Sequence, residues 1–181
     1  MKATIVILFI ALTSSLSAQK YVSKNGQISF FSHTPLEDIE AQNNQAASIL
    51  DASNGDLVIN VLVKSFVFKK ALMQEHFNEN YMESDKFPKA TFKGKITNLS
   101  TIDFKKDGTY PAEVAGDLTI HGETKQVTQK GSLLVKGNTI TITSSFPLVP
   151  QDYAIKIPGL VENKIAKEIE TKVDITYNPF Q

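Results

Sequence analysis

Apolar and polar positions alternate with a period of two through most of the chain, in runs bounded by Gly, Asn, Asp or Pro. That is the pattern of half-buried β-strands. In residues 109–121, Val114, Gly116, Leu118 and Ile120 share one parity, and Ala115, Asp117, Thr119 and His121 take the other. Successive side chains of a strand point to opposite faces, so the segment has one buried face and one wet face. Residues 125–136 place Val127, Leu133 and Val135 against Thr128, Lys130, Ser132 and Lys136, and residues 138–146 place Ile140, Ile142 and Phe146 against Thr139, Thr141, Thr143 and Ser145. Lys136-Gly137-Asn138-Thr139 reads as a tight hairpin and His121-Gly122-Glu123-Thr124 as a second turn, so the three strands form a meander. Residues 56–68 alternate Leu57, Ile59, Val61 and Val63 against Asn60 and Lys64, residues 165–177 turn Val173, Ile175 and Tyr177 inward, and residues 27–32 and 89–98 read as shorter strands.

Two segments break the alternation. In 69–83, Leu72, His76 and Phe77 have helical spacing, which predicts a short helix. Residues 35–51 carry conflicting signals: Thr34, Pro35 and Glu37 look like a helix N-terminus, while Ala46 to Asp51 suit a strand equally well. Leu160, Ile165 and Ile169 suggest a short helix leading into the last strand. Seven or eight antiparallel strands without strand–helix alternation make an all-β sandwich or closed barrel. Eight strands enclose just enough space for one small ligand.

The first eighteen residues have the composition of a secretory signal peptide. Lys2 precedes the apolar run Ile5 to Leu12, and Ser14, Ser15 and Ser17 lead to Ala18. The run is shorter than the ~20 residues that span a bilayer. The expected organisation is a signal peptide over 1–18 and one β-barrel domain over 19–181, in the periplasm or the medium.

Composition narrows the chemistry. The chain has 19 cationic residues, all Lys, and 19 acidic ones. Balanced charge without Arg gives no footprint for nucleic acid. With no Cys, disulfides, thiolate nucleophiles and thiolate-bound metals are excluded. His33, His76 and His121 are dispersed and do not suggest a metal site. His121 falls on the polar parity and reads as a solvated turn residue. No G-x-S-x-G and no Gly-rich phosphate loop occurs, and the acidic pairs Glu37/Asp38 and Glu83/Asp85 sit in polar stretches. No enzyme and no cofactor are expected. The inward parity is rich in Val, Ile, Leu, Phe and Tyr, a supply that suits a filled core and a lined cavity equally.

The run Gly116-Asp117-Leu118-Thr119-Ile120-His121-Gly122-Glu123-Thr124-Lys125 resembles the G-D-L-T-I-x-G-x-T-[KR] signature of the YceI-like, polyisoprenoid-binding proteins. Met73 to Phe92, ending in Lys86-Phe87-Pro88-Lys89-Ala90-Thr91-Phe92, is similar to that family's K-[FY]-P-x-x-x-F block. His76-Phe77, Ser65 and His33 fall where the family carries related residues. The resemblance implies a lipocalin-like eight-stranded barrel whose apolar channel holds a polyisoprenoid chain, such as a quinone or prenyl pyrophosphate. It also favours strand over helix for 37–51. Inward residues then become candidate channel lining: Phe30, Val61, Val63, Phe77, Phe92, Leu118, Ile120, Leu133, Ile142, Phe146 and Ile175. In place of the family's R-x-D-F-G-I segment stands Pro150-Gln151-Asp152-Tyr153-Ala154-Ile155, with Lys125 the one cation of the signature. Lacking Arg for a pyrophosphate, the chain is expected to take a neutral, quinone-like ligand. The expected partner is an isoprenoid or other long apolar lipid, with neither nucleic acid nor an integral membrane span; a homodimer stays open. The alternative is a non-catalytic interaction barrel with a filled core.

Overall fold

The computed structural model describes residues 19–180, so the expected signal segment 1–18 lies outside the described residues. Nine strands follow one another: β1 (Lys20–His33), β2 (Asp38–Asp51), β3 (Asp56–Leu62), β4 (Val67–Phe68), β5 (Lys89–Ile96), β6 (Gly108–Ile120), β7 (Glu123–Lys136), β8 (Thr139–Leu148) and β9 (Ile169–Pro179). Among the described residues one short α-helix, α1 (Ala71–His76), continues into one π-helical turn over Phe77–Tyr81. Eight strands close a barrel in the order β1-β9-β8-β7-β6-β5-β3-β2, with β2 pairing back onto β1. Closure leaves no long open edge. β4 is a two-residue appendage on β2, at Ala41 and Gln42.

Residues 37–51 form strand, and the capping chemistry of Thr34 serves a turn instead. Its backbone N–H donates to Glu37 O at 3.1 Å, and its hydroxyl accepts from the N–H groups of Leu36 and Glu37. The first strand reaches further than 27–32 because it pairs with β2 from Lys20 to His33 across two bulges. Those bulges place Lys24 and Asn25 opposite Ala47, and Asn44 and Gln45 opposite Gln27. A bulge bends its strand and increases its twist, as a small barrel requires. Asn43, fully buried beside the second bulge, accepts from Gln45 N at 2.8 Å and donates to Leu62 O at 3.0 Å. It thereby satisfies backbone groups where β2 and β3 separate.

The meander β6-β7-β8 has the expected parity and turns. His121 and Gly122 take φ values of 52° and 82°, the left-handed pair of a tight hairpin. Gly is required at 122 for a second reason: a Cβ there would lie 2.6 Å from the Phe87 ring. β9 begins at Ile169 rather than 165, and the suggested short helix before it is a 3₁₀ turn over Gly159–Lys164.

The two ends of the barrel differ. At one end lie the turn between β2 and β3, the β7–β8 hairpin and the loop 97–107, which inserts Ile102. Here Tyr21, Leu50, Leu133, Val135, Ile140, Ile175 and Tyr177 fill the interior, none more than 4% exposed. Tyr177 donates its hydroxyl proton to Ser48 Oγ (2.7 Å), and Ser48 donates to Val58 O (2.8 Å). That relay ties β9 to β2 and β3 through the core. At the other end the chain makes two long excursions, 63–88 and 149–168, which cover the barrel mouth. Ser32 Oγ accepts from Ala166 N at 2.9 Å and holds the second excursion to β1. Among the described residues no helix is long and apolar enough to cross a membrane.

Candidate functional site

A cavity of about 580 Å³ occupies the mouth half of the barrel. Its volume lies in the range of small-molecule sites. The wall comes from inward residues of all eight barrel strands and from the two excursions. Ile59, Val61, Phe92, Leu118, Ile142 and Val173 belong to the strands, and Met73, Phe77, Met82, Ile155 and Ile165 to the excursions. The few polar groups include Glu37, Lys70, His76 and Lys164. Lys70 Nζ lies 3.3 Å from Glu37 Oε1, an ion pair between α1's entry and the β1–β2 turn.

One wall is aromatic. Phe30 on β1, Phe66 just before β4, Phe68 on β4, and Phe77 after α1 pack with ring centroids 5.0–5.8 Å apart, tilted or edge-on. Such geometry is favourable beyond the area buried. A further cluster of Val63, Met82, Ile120, Tyr153 and Ile155 packs the two excursions against the barrel rim. His121 fastens that cluster from outside. Its Nε2 lies 2.9 Å from Glu83 Oε2, its Nδ1 3.2 Å from Tyr153 O, and its ring stacks edge-on with Phe87 at 4.6 Å. The side chain is only 9% exposed. His121 is therefore a packed clamp rather than a solvated turn residue, because the excursions fold down over the rim from which it projects.

Of the expected lining residues, Phe30, Val61, Val63, Phe77, Phe92, Leu118, Ile120, Ile142 and Phe146 face the cavity. Leu133 and Ile175 do not; both are 0% exposed within the filled end. The correction has a geometric cause. Leu133 pairs with Ile142 and Ile142 with Ile175, so the three form one row across β7, β8 and β9. Strands tilt relative to a barrel's axis, so such a row spirals along it and only one member reaches the cavity. Parity gives the face of a residue but not its height.

Phe66 and Phe68 were hidden from the pattern. Residues 56–68 do not form one strand: β3 ends at Leu62, and a 3₁₀ turn over Val63–Ser65 shifts the inward parity from odd to even positions. The loop residues Tyr81, Met82, Ile155, Val161 and Ile165 also line the cavity and carry no periodic signal. Lys125 of the signature is exposed and lies away from the cavity. Ser65 bonds Gln45 across the β2–β3 gap and His33 bonds Asp38, both at the surface. Among the described residues no three His, Asp or Glu side chains converge as a metal site.

The YceI-like domain model matches residues 19–177, nearly the whole described chain. The chain belongs to the YceI-like domain family. A UPF0312 protein of Pseudomonas fluorescens is 34% identical over 80 residues, which span 44% of this chain and 39% of that relative. Solved structures share the fold at low identity. A polyisoprenoid binding domain from Saccharophagus degradans, implicated in plant cell wall breakdown, superposes with a TM-score of 0.76 at 11% identity, over 90% of this chain and 99% of that one. BcnA of Burkholderia cenocepacia gives 0.69 at 19% identity, over 83% and 95%. The YceI protein of Campylobacter jejuni gives 0.63 at 14%, over 82% and 90%. The YceI-like barrel accounts for the position of the signature: it spans the β6–β7 hairpin, where Leu118 and Ile120 face the cavity while His121 and Gly122 make the clamped turn.

Proposed function

We propose that this chain is an exported, non-catalytic binding protein that holds an isoprenoid or other long apolar lipid as a carrier or sequestering protein. The observation that carries the reading is the cavity: about 580 Å³, walled by Val, Ile, Leu, Met and Phe, in a barrel whose other half is packed. Burying an apolar chain there removes it from water, at ~25 cal/mol per Å² of apolar surface, without asking for polar partners. The polyisoprenoid named for the Saccharophagus domain is in keeping with such a wall.

A neutral head group suits the rim. Lys70 is matched by Glu37, Lys164 is left as a single exposed ammonium, and no Arg exists to grip a pyrophosphate. The sequence of residues 1–18 supports export. The filled-barrel alternative describes only the closed half.

Mass spectrometry of an organic extract of the natively purified protein tests the ligand. A prenyl or quinone-like lipid near one per chain is expected; a lipid-free protein that also takes up none from an added quinone would overturn the reading. N-terminal sequencing tests export: the envelope or secreted form should begin at or near Gln19, and an intact Met1 confined to the cytoplasm would contradict it.

A further inference from the structure

We propose that the packed half of the barrel acts as a ruler, admitting about four to five isoprene units of a linear neutral chain and leaving the remainder of any longer one outside the mouth. The proposal rests on the cavity being an isoprenoid site and adds the length that it takes.

Two observations set the length. The first is volume. An apolar cavity of ~150 Å³ takes a six-carbon ring, or about 25 Å³ per heavy atom. On that scale about 580 Å³ holds some 20–25 carbons, or four to five isoprene units. The second is the floor. Leu57, Phe92 and Ile142 line the bottom of the cavity and also belong to the closed-end core. Behind them Leu133, Ile175 and Tyr177 are 0% exposed. Interiors packed to this degree do not admit extra carbons without strain.

The floor is fixed as well as full. The Tyr177–Ser48–Val58 relay joins three strands beneath it. The Phe92 ring packs against Gly94, where a Cβ would sit 2.7 Å from its Cζ, so the ring occupies space that a side chain at 94 would take. A chain end that reaches Phe92 has nowhere deeper to go.

The test is a series of all-trans prenols of two to eight isoprene units, competed against an environment-sensitive anilinonaphthalene dye bound to the protein. Affinity should rise at least tenfold per unit up to four, since each unit adds five buried carbons. From five to eight units it should change less than about threefold, because the added carbons stay wet. A rise that continues to eight units, or a plateau at two or three, would overturn the ruler while leaving an isoprenoid site in place. No displacement at any length would overturn the isoprenoid reading itself, and the ruler with it. Phe92→Ala removes six ring carbons from the floor and should move the break up by about one unit. Ala90→Phe, which narrows the cavity from the wall and leaves the floor intact, should move it down. A break that stays put in both folded variants would show that Phe92 and the floor do not set the length.

Discussion

A hydroxyl sealed in an apolar interior must find its partner inside the protein, and Tyr177 does so at Ser48. Burial outweighs that hydrogen bond and pushes the phenol well above its ordinary 10.0. The sign of the consequence follows from linkage. As pH rises through 10, the unfolded chain releases this proton while the folded chain keeps it, so the folded state binds more protons and stability falls with pH. Burial also raises Tyr81 and Tyr153. Urea melts from pH 8 to 11 should therefore show a loss of stability that is shallower in Tyr177→Phe. That variant should cost about 1 kcal/mol at neutral pH for the missing hydrogen bond. An unchanged alkaline slope would contradict the account. Ala154 presents the opposite case of a residue that its position disfavours. Its φ of 53° and ψ of 21° are left-handed, a region that favours Gly. The Cβ strain of about 1–2 kcal/mol exceeds the entropic cost of Gly, so Ala154→Gly should stabilise the chain by about 0.5–1 kcal/mol, read from the urea midpoint. A lower midpoint would show that Ala154 makes a contact worth more than the strain.

Among the elements, the strands whose neighbours are close in sequence and the short helix within 69–83 are legible, and the remaining loops of the two excursions are not. The meander β6-β7-β8 could be read from parity and two turn signals because each strand has one face in the barrel and one in water. Thr34 misled because a hydroxyl that accepts backbone N–H groups serves a β-turn as well as a helix cap. Phe66 and Phe68 were invisible because one 3₁₀ turn reverses the parity. The polar parity of His121 suggests a solvated residue because nothing local announces that Glu83, Phe87 and Tyr153 arrive from distant segments. That clamp predicts local behaviour. His121→Ala removes the partner of the Tyr153 carbonyl and the contact to Phe87, at a cost of about 1–3 kcal/mol. Hydrogen exchange should accelerate in 83–87 and 150–155 and stay unchanged in the centre of β7 and β8. Uniform acceleration would mean that the clamp stabilises the whole barrel rather than its cover.

On the scale of the molecule, the barrel is both filled and hollow, in different halves of one continuous wall. That division was not legible because the same residue types, on the same parity, line both halves. The closed half is filled by side chains that converge from hairpin turns and from the inserted Ile102; the mouth half is kept open by excursions that bridge the rim instead of entering it. The division separates stability from binding, and two leucines measure it. Leu133 is 0% exposed and packed on all sides, so Leu133→Ala leaves a hole its neighbours cannot close and should cost about 2–5 kcal/mol. Leu118, on the neighbouring strand, is half-buried and faces the cavity, where part of its surface already lacks protein neighbours. Leu118→Ala forfeits fewer contacts and should cost less, about 1–2 kcal/mol. The ligand result should run the other way. Leu118→Ala removes wall that a bound chain would touch and should weaken dye and prenol binding, whereas Leu133→Ala, measured where it is fully folded, should bind nearly as the parent does. Val63 is a poor site for such a test: although it borders the cavity it is 1% exposed, so Val63→Phe would overpack the rim cluster and confuse the two effects. Urea melts beside dye titrations decide the matter. Equal stability losses in the two leucine variants, or binding lost in Leu133→Ala alone, would mean that the halves are not independent and that the packed end reaches into the site.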